Sequence, residues 1–357
     1  MIQSFGWSDA LQQDFVGLAG PDMIPGRVTV QQRGHYVLVT DQGELTAQIS
    51  GRLAHDAGEG GYPVVGDWVA ATPRQGEGAA TIHAVLPRRT SFVRKAADSV
   101  QSLQVVAANV DLAFLVTSMN LDFNTRRLER YLATAWQSGA KPVIVLTKAD
   151  LCDDPDAAVA EAEAVAFGAP VLAVSVVTWR GMDELAGYLK PGETCVLVGS
   201  SGVGKSTLVN ALAGSERMTT QAIREDDSRG RHTTTHRELV LLPSGALILD
   251  TPGMRELALM DASEGVVATF SDVEALAAEC RFRDCKHTNE PGCAVRAALE
   301  SGELDPARLQ SYRKLQKELA FQQAKEDRAA REANHRRWVA IAKANRQRRR
   351  LEEAEDE

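Results

Sequence analysis

No run of about 18 apolar residues occurs in the 357-residue chain, so the sequence offers no helix able to cross a bilayer. The opening stretch 1–15 lacks the basic region and apolar core of a secretory leader. A cytoplasmic protein without a membrane partner is the expectation. An excess of positive charge is also missing: 40 Lys and Arg stand against 48 Asp and Glu, a net charge of −8. Taken alone, that balance opposes attraction of the whole surface to nucleic acid. Cysteine is scarce, with five residues and no C-x-x-C pair. Disulfides are not expected in a reducing compartment, and a redox pair lacks its usual spacing. Cys152 and Cys195 are isolated and read as small core or loop residues.

What is present is unevenly spread. Residues 306–350 hold 14 Lys and Arg against 4 Asp and Glu, and the last seven residues hold 5 acids. An acidic body with a basic arm is compatible with RNA docking through local patches. The length suggests two or three domains.

Between about 25 and 95 the chain reads as five short strands: 26–31, 35–40, 45–50, 64–70 and 80–86. Asp41-Gln42-Gly43-Glu44 gives a hairpin signal between two of them. Five strands in so short a span suggest a small closed barrel of the OB type, with another small β-domain as the alternative. Residues 54–63, rich in Gly and acids, read as a mobile loop. The stretch 87–95 is basic with one aromatic, suiting either a nucleic-acid strand or a solvated linker. From about 103 to 260, apolar strands alternate with helical segments over 125–138, 156–167, 181–189 and 205–213. That alternation predicts a mostly parallel sheet covered on both faces. Beyond 263 the pattern is helical, apart from a Cys/His knot.

Gly199-Ser200-Ser201-Gly202-Val203-Gly204-Lys205-Ser206 matches the phosphate-loop pattern at every fixed position, after an apolar strand and before a helix. The backbone amides and the helix N-terminus would cradle phosphates. Lys205 would reach the β- and γ-phosphates, and the Ser206 hydroxyl would ligate Mg²⁺. Asp250-Thr251-Pro252-Gly253 ends a later strand as D-x-x-G, with Asp250 supporting Mg²⁺ and the Gly253 amide sensing the γ-phosphate. In the polar stretch between them, Thr234 is favoured as a further Mg²⁺ ligand, with Thr233 and Thr235 left open. Thr147-Lys148-Ala149-Asp150 resembles N-K-x-D, in which the Asp accepts the N1–H and N2–H donors that guanine has and adenine lacks. Thr147 stands where Asn is usual, which predicts one lost side-chain contact. Ser175 occupies the place of the S-A-[KL] element.

The base motif precedes the phosphate loop, so the set is circularly permuted, and the switch strand leads directly into the C-terminal module. Movement of 250–253 is therefore expected to pass into 255–300. Met254 stands where Ras-like enzymes carry the Gln that orients water. His232 is the leading substitute and His236 a further one. Cys280, Cys285, His287 and Cys293 form a Cys₃His set within fourteen residues, the closed structural type that holds one Zn²⁺. Arg281, Arg283 and Lys286 make this knot basic.

Together, Val65-Gly-Asp-Trp-Val, Arg88-Arg-Thr-Ser-Phe, Thr147–Asp150, Gly199–Thr207, Gly230–Thr235, Asp250–Glu256 and Cys280–Cys293 resemble the RsgA (YjeQ) family, the small-ribosomal-subunit-dependent GTPases of bacteria. The resemblance implies an OB-fold over residues 1–98, a circularly permuted α/β GTPase domain over 99–260, and an α-helical zinc-binding domain over 261–357. It implies nucleotide contacts at Thr147, Lys148, Ala149, Asp150 and from Gly199 through Lys205, Ser206 and Thr207. It implies the switch histidine at His232 and zinc ligands at Cys280, Cys285, His287 and Cys293. A monomer that turns over Mg²⁺-bound GTP during late maturation of the small subunit, in contact with its rRNA, is expected. The main alternative is a GTP-dependent RNA-binding adaptor with little turnover of its own.

Overall fold

The computed structural model describes residues 1–32, 34–57, 61–74, 76–95, 103–120, 123–166, 168–214, 237–250, 266, 269–317, 319–320 and 324. Near the N-terminus, the strands β1 (Ile24–Gln32), β2 (His35–Thr40), β3 (Gly43–Ile49), β4 (Trp68–Arg74) and β5 (Ala79–Val85) pair in the order β1-β2-β3-β5-β4. A β4–β1 ladder closes them into a barrel. The β3–β5 pair is parallel and the other barrel pairs are antiparallel, the strand order of an OB-fold. Alternating residues point Val28, Leu38, Val69, Ala71 and Ile82 into one core. The fourth strand starts later than its apolar run suggests. Gly66 sits at φ 93, where a Cβ would drive into the Ala108 carbonyl, and the Asp67 carboxylate accepts the Val64 amide. Residues 64–67 are therefore a buried turn. Part of the stretch expected to be a mobile loop is a helix, Gly51–Asp56, whose first turn is capped by the Ser50 hydroxyl accepting from the Leu53 amide.

The basic stretch after the barrel has internal work. Arg88 donates from Nε and Nη2 to both oxygens of buried Asp67, at 2.8 and 2.7 Å, and Phe92 is buried. That stretch forms β6 (Ser91–Lys95), paired with β7 (Leu103–Ala108).

The second sheet contains β8 (Leu112–Ser118), β9 (Lys141–Thr147), β10 (Val171–Ala173), β11 (Thr194–Val198), β12 (Arg237–Leu241) and β13 (Leu247–Asp250). Its spatial order is β10-β9-β8-β11-β13-β12, parallel except for β12. Every residue of β8 and β11 is buried, as expected of strands covered on both faces. On one face, Leu115, Ile144, Val196 and Leu249 meet Leu128 and Leu132 of the helix Thr125–Ser138 and Ala162 of the helix Pro155–Ala166. On the other, Phe114, Val145, Cys195 and Ile248 meet Leu185, Leu208 and Val209. The barrel and this sheet are continuous, because β1 pairs antiparallel with β12 through Val30↔Glu238 and Gln31↔Arg237.

At the junction the Arg27 guanidinium is 1 % exposed. It donates to the Phe5 carbonyl, to the Asn109 carbonyl at 3.3 Å and to Thr194 Oγ1 at 2.7 Å, and lies 5.3 Å from the Trp68 ring centroid. Burial pulls its pKa down to about 10, which still leaves it charged at neutral pH.

The C-terminal module packs the helices Ser271–Ala278, Ala294–Ser301 and 306–317 around Phe270, Val273, Val295, Tyr312 and Leu315. No helix among the described residues is long and apolar enough to cross a membrane.

Candidate nucleotide site and metal centre

The phosphate loop leaves the C-terminal end of β11 and enters the helix Lys205–Ala213. Its backbone demands glycine at several points. At Gly199 a Cβ would drive into the Val116 carbonyl of the neighbouring strand, and Gly202 and Gly204 have φ of 80 and 97. This left-handed crest turns the chain into the helix so that its first amides face outward, the geometry that binds phosphate. The Lys205 ammonium donates to the carbonyls of Gly199 at 2.7 Å and Ser200 at 2.6 Å, so its charge is held over the loop it would serve. Ser206 and Thr207 follow in the first turn of the helix.

The base motif stands two strands away, at the C-terminal end of β9, and is bonded directly to the phosphate loop. Thr147 is 5 % exposed and its hydroxyl donates to the Val203 carbonyl at 2.6 Å, with the Thr117 carbonyl at 3.3 Å. Lys148, at φ 60, donates from Nζ to the Gly202 carbonyl at 2.9 Å. The Thr147 hydroxyl, standing where Asn is usual, thus ties the base motif to the phosphate loop. Ser175 is 1 % exposed and donates to Asp150 Oδ1 at 2.5 Å while accepting from the Thr178 amide at 3.1 Å. Although its neighbours depart from the usual pattern, Ser175 fixes the carboxylate that would read the base. The Ala149 amide donates to the Val174 carbonyl at 3.2 Å, which pins the turn between the two loops.

Asp250 ends β13, whose backbone pairs with Glu238 of β12, two strands from β8 and beside the strand that feeds the phosphate loop. Gly253, His232 and Thr234, together with the alternatives Thr233, Thr235 and His236, lie outside the described residues.

The Cys₃His set is assembled. The ligand atoms of Cys280, Cys285, His287 and Cys293 all lie within 4.8 Å of one another. Cys280 Sγ is 3.8 Å from Cys293 Sγ, and each of these sulfurs is 3.5 Å from His287 Nδ1. A tetrahedron with Zn–S bonds of about 2.3 Å and Zn–N bonds of about 2.0 Å has S···S edges of about 3.8 Å and S···N edges of about 3.5 Å. The donor set therefore fits zinc in both chemistry and spacing. Three devices shape the loop. His287 takes φ 57, the Arg281 amide donates to the Gly292 carbonyl at 3.1 Å, and Glu290 accepts amides of Lys286, Thr288 and Asn289 at 3.1, 2.7 and 3.0 Å. Its own amide and these three hold the Glu290 carboxyl down to about 2. Arg313 donates to the His287 carbonyl at 2.6 Å and ties the loop to the helix 306–317.

Sequence reasoning missed a buried ionic cluster where this module meets the helix Thr125–Ser138. Arg308, 6 % exposed, pairs with Glu129, 2 % exposed, at 3.2 Å and with Asp272 at 3.1 Å. Its guanidinium also donates to the Thr269 carbonyl at 2.6 Å and lies 4.3 Å from the Phe270 ring centroid. No spacing signal marks these residues, because Arg308 and Glu129 are 179 positions apart.

A six-stranded nucleotide-binding sheet with its base motif ahead of its phosphate loop defines a circularly permuted GTPase. Known proteins agree. The family profile described as RsgA GTPase matches residues 85–260. A second profile, described as ABC transporter, matches 182–348, a stretch that holds the phosphate loop and leaves out Thr147–Asp150. A relative from Opitutus terrae named small ribosomal subunit biogenesis GTPase RsgA is 48 % identical over 361 residues, covering 98 % of each chain. A Streptomyces coelicolor relative of the same name is 45 % identical, covering 96 % of this chain and 94 % of its own. The crystal structure of YjeQ from Thermotoga maritima superposes with a TM-score of 0.65 at 29 % identity, covering 84 % of this chain and 99 % of that one. That of YloQ, a circularly permuted GTPase, gives 0.60 at 25 % identity, covering 86 % and 96 %. The chain belongs to the RsgA family.

Proposed function

We propose that this protein is a cytoplasmic GTPase that binds the small ribosomal subunit, assists its late maturation, and hydrolyses GTP to GDP and phosphate under stimulation by that subunit. The observation that carries the nucleotide assignment is the direct bonding of base motif to phosphate loop, with Thr147 on Val203 and Ser175 on Asp150. The ribosomal assignment is supported by the names of relatives that align over nearly the whole chain. In this reading the Asp150 carboxylate accepts the two guanine donors, Lys148 covers the base, and the amides of Gly199–Ser206 with Lys205 hold the phosphates. Ser206 and Thr234 would ligate Mg²⁺, which would supply positive charge to the phosphates, Asp250 supports that ion, and the Gly253 amide senses the γ-phosphate. His232 orients the attacking water that Met254 cannot. Zinc, one per chain, is held by Cys280, Cys285, His287 and Cys293 and fixes the loop.

The protein works as a monomer, with residues 1–98 and the zinc module of 261–357 touching rRNA on either side of the GTPase unit at 99–260. Around the zinc loop, Arg281 lies 5.6 Å from the ring of exposed Phe282, with Arg283 and Lys286 alongside, a basic and aromatic surface suited to RNA. Because the switch strand runs into this module, nucleotide state passes from 250–253 into 255–300. The test is multiple-turnover hydrolysis with and without small subunits, with ATP as the control. Strong stimulation with GTP alone is expected. Turnover that stays slow with subunits present favours the adaptor reading.

A further inference from the structure

The helix Thr125–Ser138 is buried on two sides. Leu128, Tyr131, Leu132 and Ala135 face the GTPase core, whereas Ala133 belongs to the core of the C-terminal module, together with Phe270, Tyr312 and Leu315. Arg126, Glu129 and Ala133, spaced three and four apart, lie on the second side. Arg126 reaches Gln310 at 3.3 Å and Glu129 reaches Arg308 at 3.2 Å. This helix ends at Gly139, φ 84, with the Ser138 hydroxyl accepting the Ala140 amide, and the chain runs at once into β9. β9 delivers Thr147. The path from Arg308 to the base motif is thus one ion pair, one helix and one strand that is buried from Pro142 to Thr147.

Arg308 is built as the fastener of that path. Its planar fork reaches Asp272 by Nε and Nη2, Glu129 by Nη1 and the Thr269 carbonyl by Nη2, and its face lies on Phe270. No other side chain type offers that fork together with a flat face for an aromatic ring. Removing one partner of a buried cluster leaves charge uncompensated, which weakens the contact between the module and the helix Thr125–Ser138.

We propose that Arg308 is a positioning residue through which the zinc module controls guanine-nucleotide release, by holding the helix Thr125–Ser138 and hence the strand that presents Thr147–Asp150. A macromolecule docking on the module has, by this route, a handle on the base site separate from the switch strand. The proposal rests on the assignment of Thr147–Asp150 to guanine.

The test uses the full chain with Arg308→Met, Arg308→Lys and, as a control on the module's surface, Arg296→Ala, which breaks only an exposed pair with Glu300. Asp272→Asn is a milder variant should Arg308→Met fold poorly. Hydrogen exchange and the release rate of a fluorescent GDP are measured, with single-turnover hydrolysis of bound GTP alongside. Arg308→Met is expected to lose protection across 125–147 and release GDP about tenfold faster, a shift within the usual range of coupling between sites. Single-turnover hydrolysis should change little, Arg308→Lys should recover part of the effect, and Arg296→Ala should match the parent. Unchanged protection across 125–147 in a folded Arg308 variant would overturn the proposal, as would lost protection with GDP release within twofold of the parent. Failure of the underlying base assignment has its own signature: Asp150→Asn would leave guanine preference intact.

Discussion

Replacing Thr147 with valine removes one hydroxyl and keeps the branched shape, so its effects can be traced to a hydrogen bond. That hydroxyl carries a single proton, and the Val203 carbonyl at 2.6 Å is the better acceptor than that of Thr117 at 3.3 Å. Both Thr147 and Val203 are buried, so the Val203 carbonyl would be left without its side-chain donor and out of reach of bulk water. Such a loss costs about 1–3 kcal/mol. If it falls wholly on the ordering of the phosphate loop, affinity for GDP drops by about 5- to 150-fold, since each 1.4 kcal/mol is tenfold. If it falls on the fold instead, the thermal midpoint drops by about 2–4 °C per kcal/mol. Titration with fluorescent GDP and GTP, beside thermal unfolding of the same samples, measures both shares. Thr147→Asn restores an N–H donor and should retain most of the affinity. A Thr147→Val protein with nucleotide affinity within twofold of the parent and an unchanged midpoint would refute the argument that this residue latches the two loops together.

Further perturbations follow from the same geometry. Asp150→Asn should cut GTP affinity by about a hundredfold or more, because an acceptor for two donors becomes a mixed donor and acceptor. Xanthosine triphosphate, whose base keeps the N1–H donor but carries a carbonyl acceptor in place of the N2 amine, should bind the variant better than GTP in competition titrations. Cys285→Ser should empty the Cys₃His centre, seen as loss of zinc by elemental analysis and loss of amide protection over 280–293. The Glu290 carboxyl, held down to about 2 by backbone amides, contributes order to the zinc loop that is complete above its ordinary value near 4.5. That contribution is lost as pH falls from there towards 2. At neutral pH, Glu290→Ala should surrender zinc to a chelator faster than the parent, with equal rates counting against the loop-ordering role.

Much of this molecule was legible in the sequence, and the reason differs from part to part. The helix at 125–138 and the phosphate-loop helix at 205–213 fall where periodicity and glycine placement put them. The Cys₃His set was readable because its members sit close together in the chain. The fourth barrel strand was misplaced because Val64–Asp67 begins with two valines and is buried throughout yet bent by Gly66, and burial alone does not distinguish strand from turn. The helices Asp9–Leu18 and Gly51–Asp56 escaped notice, being short elements set by caps at Ser8 and Ser50 more than by a long apolar stripe. The bond that Thr147 makes to the phosphate loop was hidden for a different reason. Motif comparison weighs residue type, whereas its contact depends on how near the Val203 carbonyl comes, which only the fold decides. The Arg88–Asp67 and Arg308–Glu129 pairs were hidden because charge counting cannot tell a solvated cation from one held by a distant acid.

The ladder between β1 and β12 has a consequence for dissecting this protein. A sheet that stops at a strand leaves a row of free amides and carbonyls that recruits other chains. Here the far side of the nucleotide-binding sheet ends in β10, only three residues long, and the near side is sheathed by the barrel. Cutting away the first hundred residues to study catalysis in isolation would uncover β12 at Arg237 and Glu238 and leave Thr194 without Arg27. The fragment so made would be prone to self-association, and its sluggishness would report a lost neighbour instead of a lost activator.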